Sequence, residues 1–357
     1  MDAMASGLTL ERVRSDVQVI ARAGLDTPTF LAELEPALQR SVPHTASCIA
    51  TVDPATRLLT GTYKFGGLAG DDERDHEWAL MEYGRIDPTS FLEMIDQDRT
   101  ACSVSIDTGG DTSISPRLRD FITPIFGYRD ELRMVARRGN QSWGGVALFR
   151  GSDEQPFNSD EVAFVASLSE HFATGLRSGL LARLARTGTD DLPAIGPAVV
   201  IVDVDDRPSR FSMGAEALLA ELTSEVNMVS SAGIIGGLVA SARRYAAGLD
   251  KVLPAARTRM PSGRWLVLHA SPLSGANGTS GEVVVTIEEA RPPEIVPLVV
   301  AAFDLTARER EVTQLVLQGV DTKEIAASLH MSRFTVQDHL KSVFDKADVR
   351  SRRELIS

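Results

Sequence analysis

The stretch MSRFTVQDHLKSVFDKADV, residues 331–349, reads as one short helix with two unlike faces. Val336, Leu340 and Val343 recur at i, i+4 and i+7 and make an apolar stripe. Arg333, Gln337 and Lys341 recur every four residues on the other side, with Asp338 beside them. One side is made for a core. What the other side touches decides what the chain does.

Working outward, residues 305–357 carry four helix-start signals in a row. Thr306 precedes Glu309 by three residues, Asp321 precedes Glu324 and Ser351 precedes Glu354, each a capping-box spacing in which a short polar side chain and a later carboxylate satisfy free N–H groups. Ser332 can cap the remaining helix alone, and Gly319 sits where a left-handed C-cap is wanted. Four short helices are expected, and residues 322–329 and 333–346 form the middle pair. The first of these is too short to bury a face alone, so Ile325, Ala326 and Leu329 must pack on Val336, Leu340 and Val343 across the turn His330, Met331, Ser332. That is a helix-turn-helix. Its second helix projects its far face outward, and the DNA major groove is a surface that fits such a face. Gln337 can pair with adenine, Lys341 can donate to guanine and Asp338 can accept from cytosine, each good contact discriminating by ~1–3 kcal/mol. An alternative for this face alone is a solvated surface on which Asp338, Lys341 and Asp345 form helical ion pairs.

The whole segment, LTAREREVTQLVLQGVDTKEIAASLHMSRFTVQDHLKSVFDKADVRSRREL, resembles the LuxR/GerE-type DNA-binding domain across about fifty residues. The matching elements are Leu305, Thr306 and the run 308–312, then Gly319, Lys323 to Ala326, Leu329, Ser332, Thr335, Val336, His339, Lys346, Val349, Ser351 and Arg352. The Thr-Val-Gln-Asp-His-Leu-Lys string looks more particularly like an actinobacterial-type subgroup. The resemblance implies that Gln337, Asp338 and Lys341 approach bases. It also implies that Thr322, Lys323, Ser332, Arg333, Thr335 and His339 lie near phosphates and set register. Gln337 replaces a commoner Lys and Asp338 adds a negative charge, so non-specific affinity should be low. Ala347 and Asp348 also depart from the family's pattern at the step into the last helix.

The 357 residues carry a formal charge of −12, with 43% apolar and 24% charged side chains, enough for two or three domains with real cores. Residues 1–300 hold 40 acids and 28 bases, whereas 301–357 hold nine of each. A nucleic-acid site therefore belongs to the tail, where Lys341, Lys346, Arg350, Arg352 and Arg353 gather. No run reaches the ~18 apolar residues of a membrane span and no secretory signal opens the chain, so a cytoplasmic location is expected. Cys48 and Cys102 show no metal-ligand spacing; a small-residue role in strands is the main reading, redox sensing the lesser one.

Residues 186–197 and 290–297, rich in Gly, Pro and Asp or in Pro, read as linkers. Between them lie two sensor-like segments. Residues 8–185 run through a helix at PTFLAELEPALQRSV and strands at ASCIATVD, RLLTGTYK, ACSVSID, ELRMVARR and QSWGGVALFR. A long helix follows, whose Val165, Leu168, Phe172, Leu176, Leu180 and Leu184 could pack on their own sheet or on a second chain. This order resembles a GAF domain. Residues 195–290, a strand at PAVVIVDVDD, helices at GAEALLAEL and SAGIIGGLVASARRYAAG, and strands at GRWLVLHASPL and EVVVTIEE, resemble a PAS-type fold. A receiver domain is disfavoured because Asp250 follows a helical run and no Lys occurs between 252 and 322; Asp203, Asp205 and Asp206 then serve a turn.

No phosphate loop, nucleophile elbow, zinc-protease motif or paired CxxC is present. His76 and Glu77 in the acidic run 71–87 read either as metal ligands or, more simply, as part of an exposed acidic helix, and Trp78, Tyr83, Phe91 and Met94 either as the lining of a sensor pocket or as plain core. The expected architecture is multidomain: an α+β GAF-like domain (8–185), an α+β PAS-like domain (195–290) and an all-α, four-helix LuxR-type domain (298–357). The expected function is sequence-specific, dimeric DNA binding by a transcriptional regulator. It would have no catalytic residues, cofactor or metal, and room for an unidentified small-molecule ligand in the sensor segments. Double-stranded DNA is the expected partner, with RNA polymerase a candidate second one, and pairing would use either the 161–186 helix or the last helix. The competing function is a protein-recruiting scaffold.

Overall fold

Alternating strands in the first two segments build two antiparallel sheets. The computed structural model describes residues 7–185, 196–223, 231–260, 262, 264–275, 278–303, 305–347 and 351–352. Met1–Ala290 form one compact unit and Arg291–Ser357 another.

The chain opens with α1 (Gly7–Ala21) and α2 (Thr27–Ser41), the latter capped by Asp26, whose carboxylate accepts from the Thr29 N–H at 3.0 Å. The first sheet contains β1 (Ala46–Val52), β2 (Leu59–Gly66), β3 (Ala101–Ser103), β4 (Asp130–Arg138) and β5 (Gln141–Arg150), in the order β2-β1-β5-β4-β3. Its connections carry α3 (Asp75–Gly84), α4 (Phe91–Asp96), α5 (Val104–Asp107) and α6 (Thr123–Phe126). The strand expected at ACSVSID stops at Ser103, because the Ser103 hydroxyl accepts from the Ile106 N–H at 3.3 Å and turns the chain into α5.

Helix α7 (Ser159–Ala185) closes this half. Its stripe packs within its own chain: Val165, Leu168, Phe172 and Leu176 are buried, Phe172 meets Phe30 edge-on at 6.3 Å, and Ser169 Oγ donates to the Val135 carbonyl at 2.7 Å. Leu180 is half-buried, and the Leu184 side chain lies outside the described residues.

The second sheet contains β6 (Ala198–Val202), β7 (Pro208–Phe211), β8 (Ala255–Arg259), β9 (Trp265–Gly275) and β10 (Gly278–Glu289), in the order β7-β6-β10-β9-β8, with α8 (Ala215–Leu222) and α9 (Ser231–Ala246) between strands. Between β6 and β7, Asp203 accepts from the Asp205 and Arg207 N–H groups at 2.9 and 3.0 Å, so the acidic cluster builds a turn.

The two sheets share a core. Leu58, Ala79 and Tyr83 from the first half cluster with Val200, Leu238, Leu268 and Val285 from the second. Arg257 on β8 donates to both carboxylate oxygens of the buried Asp53 at 2.5 and 2.6 Å. Helix α9 lies so close to α3 that a Cβ on Gly236 would stand 2.6 Å from the His76 carbonyl oxygen. The His76 ring nitrogens lie 2.5 Å from the Asp206 carbonyl and 3.3 Å from that of Ala232, and Glu77 pairs with Arg74 at 2.9 Å. His76 is thus a contact between the two halves, and Glu77 is a surface partner.

Between α3, α4 and the first sheet lies a cavity lined in part by Lys64, Asp75, Trp78, Tyr83, Phe91 and Arg133. Arg133 is held by Glu131 at 2.7 Å and Glu82 at 2.8 Å, with its guanidinium 3.8 Å from the Phe91 ring centre. The fully buried Arg117 bridges Glu131 and Asp87 behind it. Met94 is not among these lining residues and packs with Cys102 and Val135. Burial pushes the Cys48 and Cys102 thiols up to about 12, so both stay neutral and act as small core residues at ordinary pH.

Candidate nucleic-acid interface

The second unit begins with a helix where the sequence suggested a linker. In α10 (Pro292–Ala302), Pro292 and Pro293 occupy the first turn, where a missing N–H costs nothing, and the Arg291 N–H donates to Glu294 Oε2 at 2.6 Å. Only Pro297 stands inside the helix.

Helix α11 (Ala307–Leu317) starts with the expected capping box: the Thr306 N–H donates to Glu309 Oε2 at 2.6 Å and the Glu309 N–H to Thr306 Oγ1 at 3.3 Å. Gly319 ends it with φ +83°, a left-handed conformation that favours glycine. Asp321 then caps α12 (Thr322–Ser328), accepting from the Lys323 and Glu324 N–H groups at 2.7 and 2.9 Å. The turn onward passes through His330 at φ +54°, and Ser332 caps α13 (Arg333–Ala347) by accepting from the Thr335 N–H at 3.0 Å. Of the last helix expected from Ser351 and Glu354, Glu354 lies outside the described residues.

Val312, Val316, Ile325, Ala326, Val336 and Leu340 form the buried centre that holds α12 against α13. Small Ala326 permits the close crossing. Val343, expected in this group, instead packs with Val300 and Leu305, because the extra helix α10 covers the far end of the α13 stripe. Buried Glu309 joins the two ends of the unit: besides its cap it accepts from Ser342 Oγ and Lys346 Nζ, both at 2.6 Å. Burial opposes its charge, but the hydrogen bonds from Lys346, Ser342 and Thr306 prevail and hold its carboxyl at about 2.

With one face of α13 fixed, Gln337, Asp338 and Lys341 are exposed on the opposite face, and Arg333 and Thr335 are exposed at its first turn. Lys323 and Ser332 are exposed, Thr322 and His339 are half-exposed, and all belong to the α12–α13 unit. No ion pair joins Lys341 to Asp338 or Asp345 among the described residues, so the helical ion-pair alternative finds no support there. Of the bases gathered in the tail, Lys346 is committed to Glu309 and Arg352 to the Val320 carbonyl, while Arg350 and Arg353 lie outside the described residues. One further side chain of this surface, Phe334, is not marked by the polar pattern of residues 331–349. It is 79% exposed, and the spacing of three, four and seven residues to Gln337, Asp338 and Lys341 was available as a signal.

The family model for bacterial regulatory proteins of the luxR family matches residues 304–357. The spore germination protein GerE of Bacillus subtilis is 42% identical over 52 residues, which are 15% of this chain and 70% of that protein. The chain belongs to the luxR family. Another relative, a putative HTH-type transcriptional regulator in the exeN 3' region of Aeromonas salmonicida, is 47% identical over 53 residues, 15% of this chain and 27% of that protein. The match thus spans about a quarter of that relative, and the luxR likeness is one of the C-terminal unit. A GAF domain from a phosphoenolpyruvate-protein phosphotransferase of Coxiella burnetii is 10% identical, covering 50% of this chain and 98% of that one with a TM-score of 0.31; that overlap does not define a common fold. Among the described residues, no helix is long and apolar enough to cross a membrane.

Proposed function

We propose that this luxR-family chain is a sequence-specific, DNA-binding transcriptional regulator that acts as a homodimer in the cytoplasm. Helix α13 would enter the major groove. The observation that carries this is the division of α13: Val336, Leu340 and Val343 are buried in the unit, while Gln337, Asp338 and Lys341 stand exposed and without ion pairs on the other side. Gln337 and Lys341 would read base edges, with Asp338 beside them. Lys323, Arg333, Ser332 and Thr335, with Thr322 and His339, would meet phosphates and fix register.

The first unit would be the input. In this proposal residues 8–185 serve as a GAF-like and 195–290 as a PAS-like sensor, and neither is an enzyme. A small molecule entering the cavity beside Trp78, Phe91 and Arg133 would shift α3, and α9 moves with α3 because Gly236 leaves no slack between them. Such a shift would alter how two copies space their tails. The negative charge of the first 300 residues would keep unliganded protein off non-specific DNA.

The test is the double variant Gln337→Ala/Lys341→Ala in the full chain. Both side chains are exposed, so the circular dichroism spectrum and melting temperature should be unchanged while sequence-specific binding is lost. Retained specific binding would overturn the assignment of this face.

A further inference from the structure

Phe334 is 79% exposed in the first turn of α13, whereas the other aromatic ring of that helix, Phe344, packs on the core of the second unit. A single exposed apolar side chain is ordinary on a protein surface, and Met213, Val252 and Ile86 are comparably exposed. What sets Phe334 apart is its position. Residues three, four and seven apart share a helix face, so Phe334 stands on the face of Gln337, Asp338 and Lys341, one turn nearer the N-terminus. It also lies opposite the buried residues Val336, Leu340 and Val343. The N-terminal residues of a helix seated in the major groove come closest to base edges. Among groups offered there, only the thymine C5 methyl is apolar, and an aromatic ring is one of the side chains that meets it.

We infer that Phe334 is a specificity-determining residue that packs its ring on the C5 methyl of a thymine in each half-site. This rests on the proposed DNA-binding function and deepens it by naming a base feature that the polar residues cannot read. The neighbouring side chains fit this division: Gln337, Asp338 and Lys341 offer hydrogen-bonding groups on this face, and Phe334 offers none.

The experiment uses the full chain and the duplex it enriches from a random pool. Each thymine of that duplex is replaced in turn by uracil, which removes the methyl and leaves every hydrogen-bonding group. Loss of one methyl contact should weaken the wild type about fourfold per half-site at one thymine position and not at the others. Phe334→Ala should bind more weakly and respond equally to thymine and uracil at that position, and Phe334→Leu should keep part of the preference. Unchanged melting of both variants excludes misfolding as the cause. If no uracil replacement weakens the wild type, or if Phe334→Ala keeps the same preference, the inference is overturned while DNA recognition stands. If no duplex is enriched, recognition and inference fall together.

Discussion

Lys346 Nζ lies 2.6 Å from Glu309 Oε2, joining the last turn of α13 to the first turn of α11. The same carboxylate caps α11 through the Thr306 N–H and accepts from Ser342, so one buried group fixes the tilt of the helix that carries the outward face. The basic residue that composition assigns to the DNA surface is, at this position, part of the scaffold.

This linkage gives a pH signature. The folded carboxyl of Glu309 titrates near 2, below its ordinary value of about 4.3, so its stabilisation is complete above pH ~4.5 and is lost as pH falls through 2. Glu309→Gln should cost roughly 2 kcal/mol at pH 7 and flatten the acid limb of stability. Hydrogen exchange of the peptides covering α11 and α13, between pH 3 and 7, reads this directly. Equal protection in both proteins at pH 7 would contradict it.

The ion pair of Asp53 with Arg257 joins the two sheets with the carboxylate fully buried. Asp53→Ala takes the carboxylate away from a buried guanidinium and should destabilise the first unit by up to about 3–5 kcal/mol, whereas replacing both partners by apolar residues should cost less than the single change. Urea unfolding followed by tryptophan fluorescence, all three tryptophans lying in the first unit, supplies the double-mutant cycle. A double variant as unstable as Asp53→Ala would show that the pair is not what joins the sheets.

Helix packing at Gly236 gives a steric counterpart. Gly236→Ala places a methyl 2.6 Å from the His76 carbonyl, and the backbone must move, at a cost of about 1–3 kcal/mol. At Gly237 the added atom would meet the edge of the Tyr83 ring at 3.2 Å, so Gly237→Ala should cost less. The order of the two melting temperatures is the check, and a reversed order would mean that α3 and α9 are not in this contact.

Two exposed residues of α13 should separate affinity from specificity. If Arg333 meets a phosphate as proposed, Arg333→Ala should weaken binding to all sequences alike, lowering the slope of log K against log salt by about one. Gln337→Ala should leave the slope nearly unchanged and relax the preference at one base pair. A salt titration on matched and mismatched duplexes distinguishes them.

The helix-turn-helix was legible because its signals are local: Thr306, Asp321 and Ser332 cap the helices they precede, and Gly319 takes the left-handed conformation. Signals that depend on distant neighbours were not legible. Pro292 and Pro293 look like breakers until the helix they open is seen, and that helix diverts Val343 from the α12 contact. Strand β8 reads as polar because Arg257 and Arg259 sit in it, yet both are buried and Arg257 meets Asp53, 204 positions away. Likewise the α7 stripe is equally suited to a second chain or to its own, and only Phe30, Val135 and their surroundings decide in favour of the latter. At the outward face, the polar residues declare themselves by their hydrogen-bonding capacity; Phe334 has none, and only its spacing to them marks it.

The central claim, that α13 reads DNA sequence, is tested most directly by incubating the full chain with random duplexes at two salt concentrations and sequencing what is retained. The account predicts an enriched inverted repeat with half-sites about one helical turn apart, the mark of two copies each placing one α13 in the major groove. Retention without sequence preference at either salt concentration would contradict it.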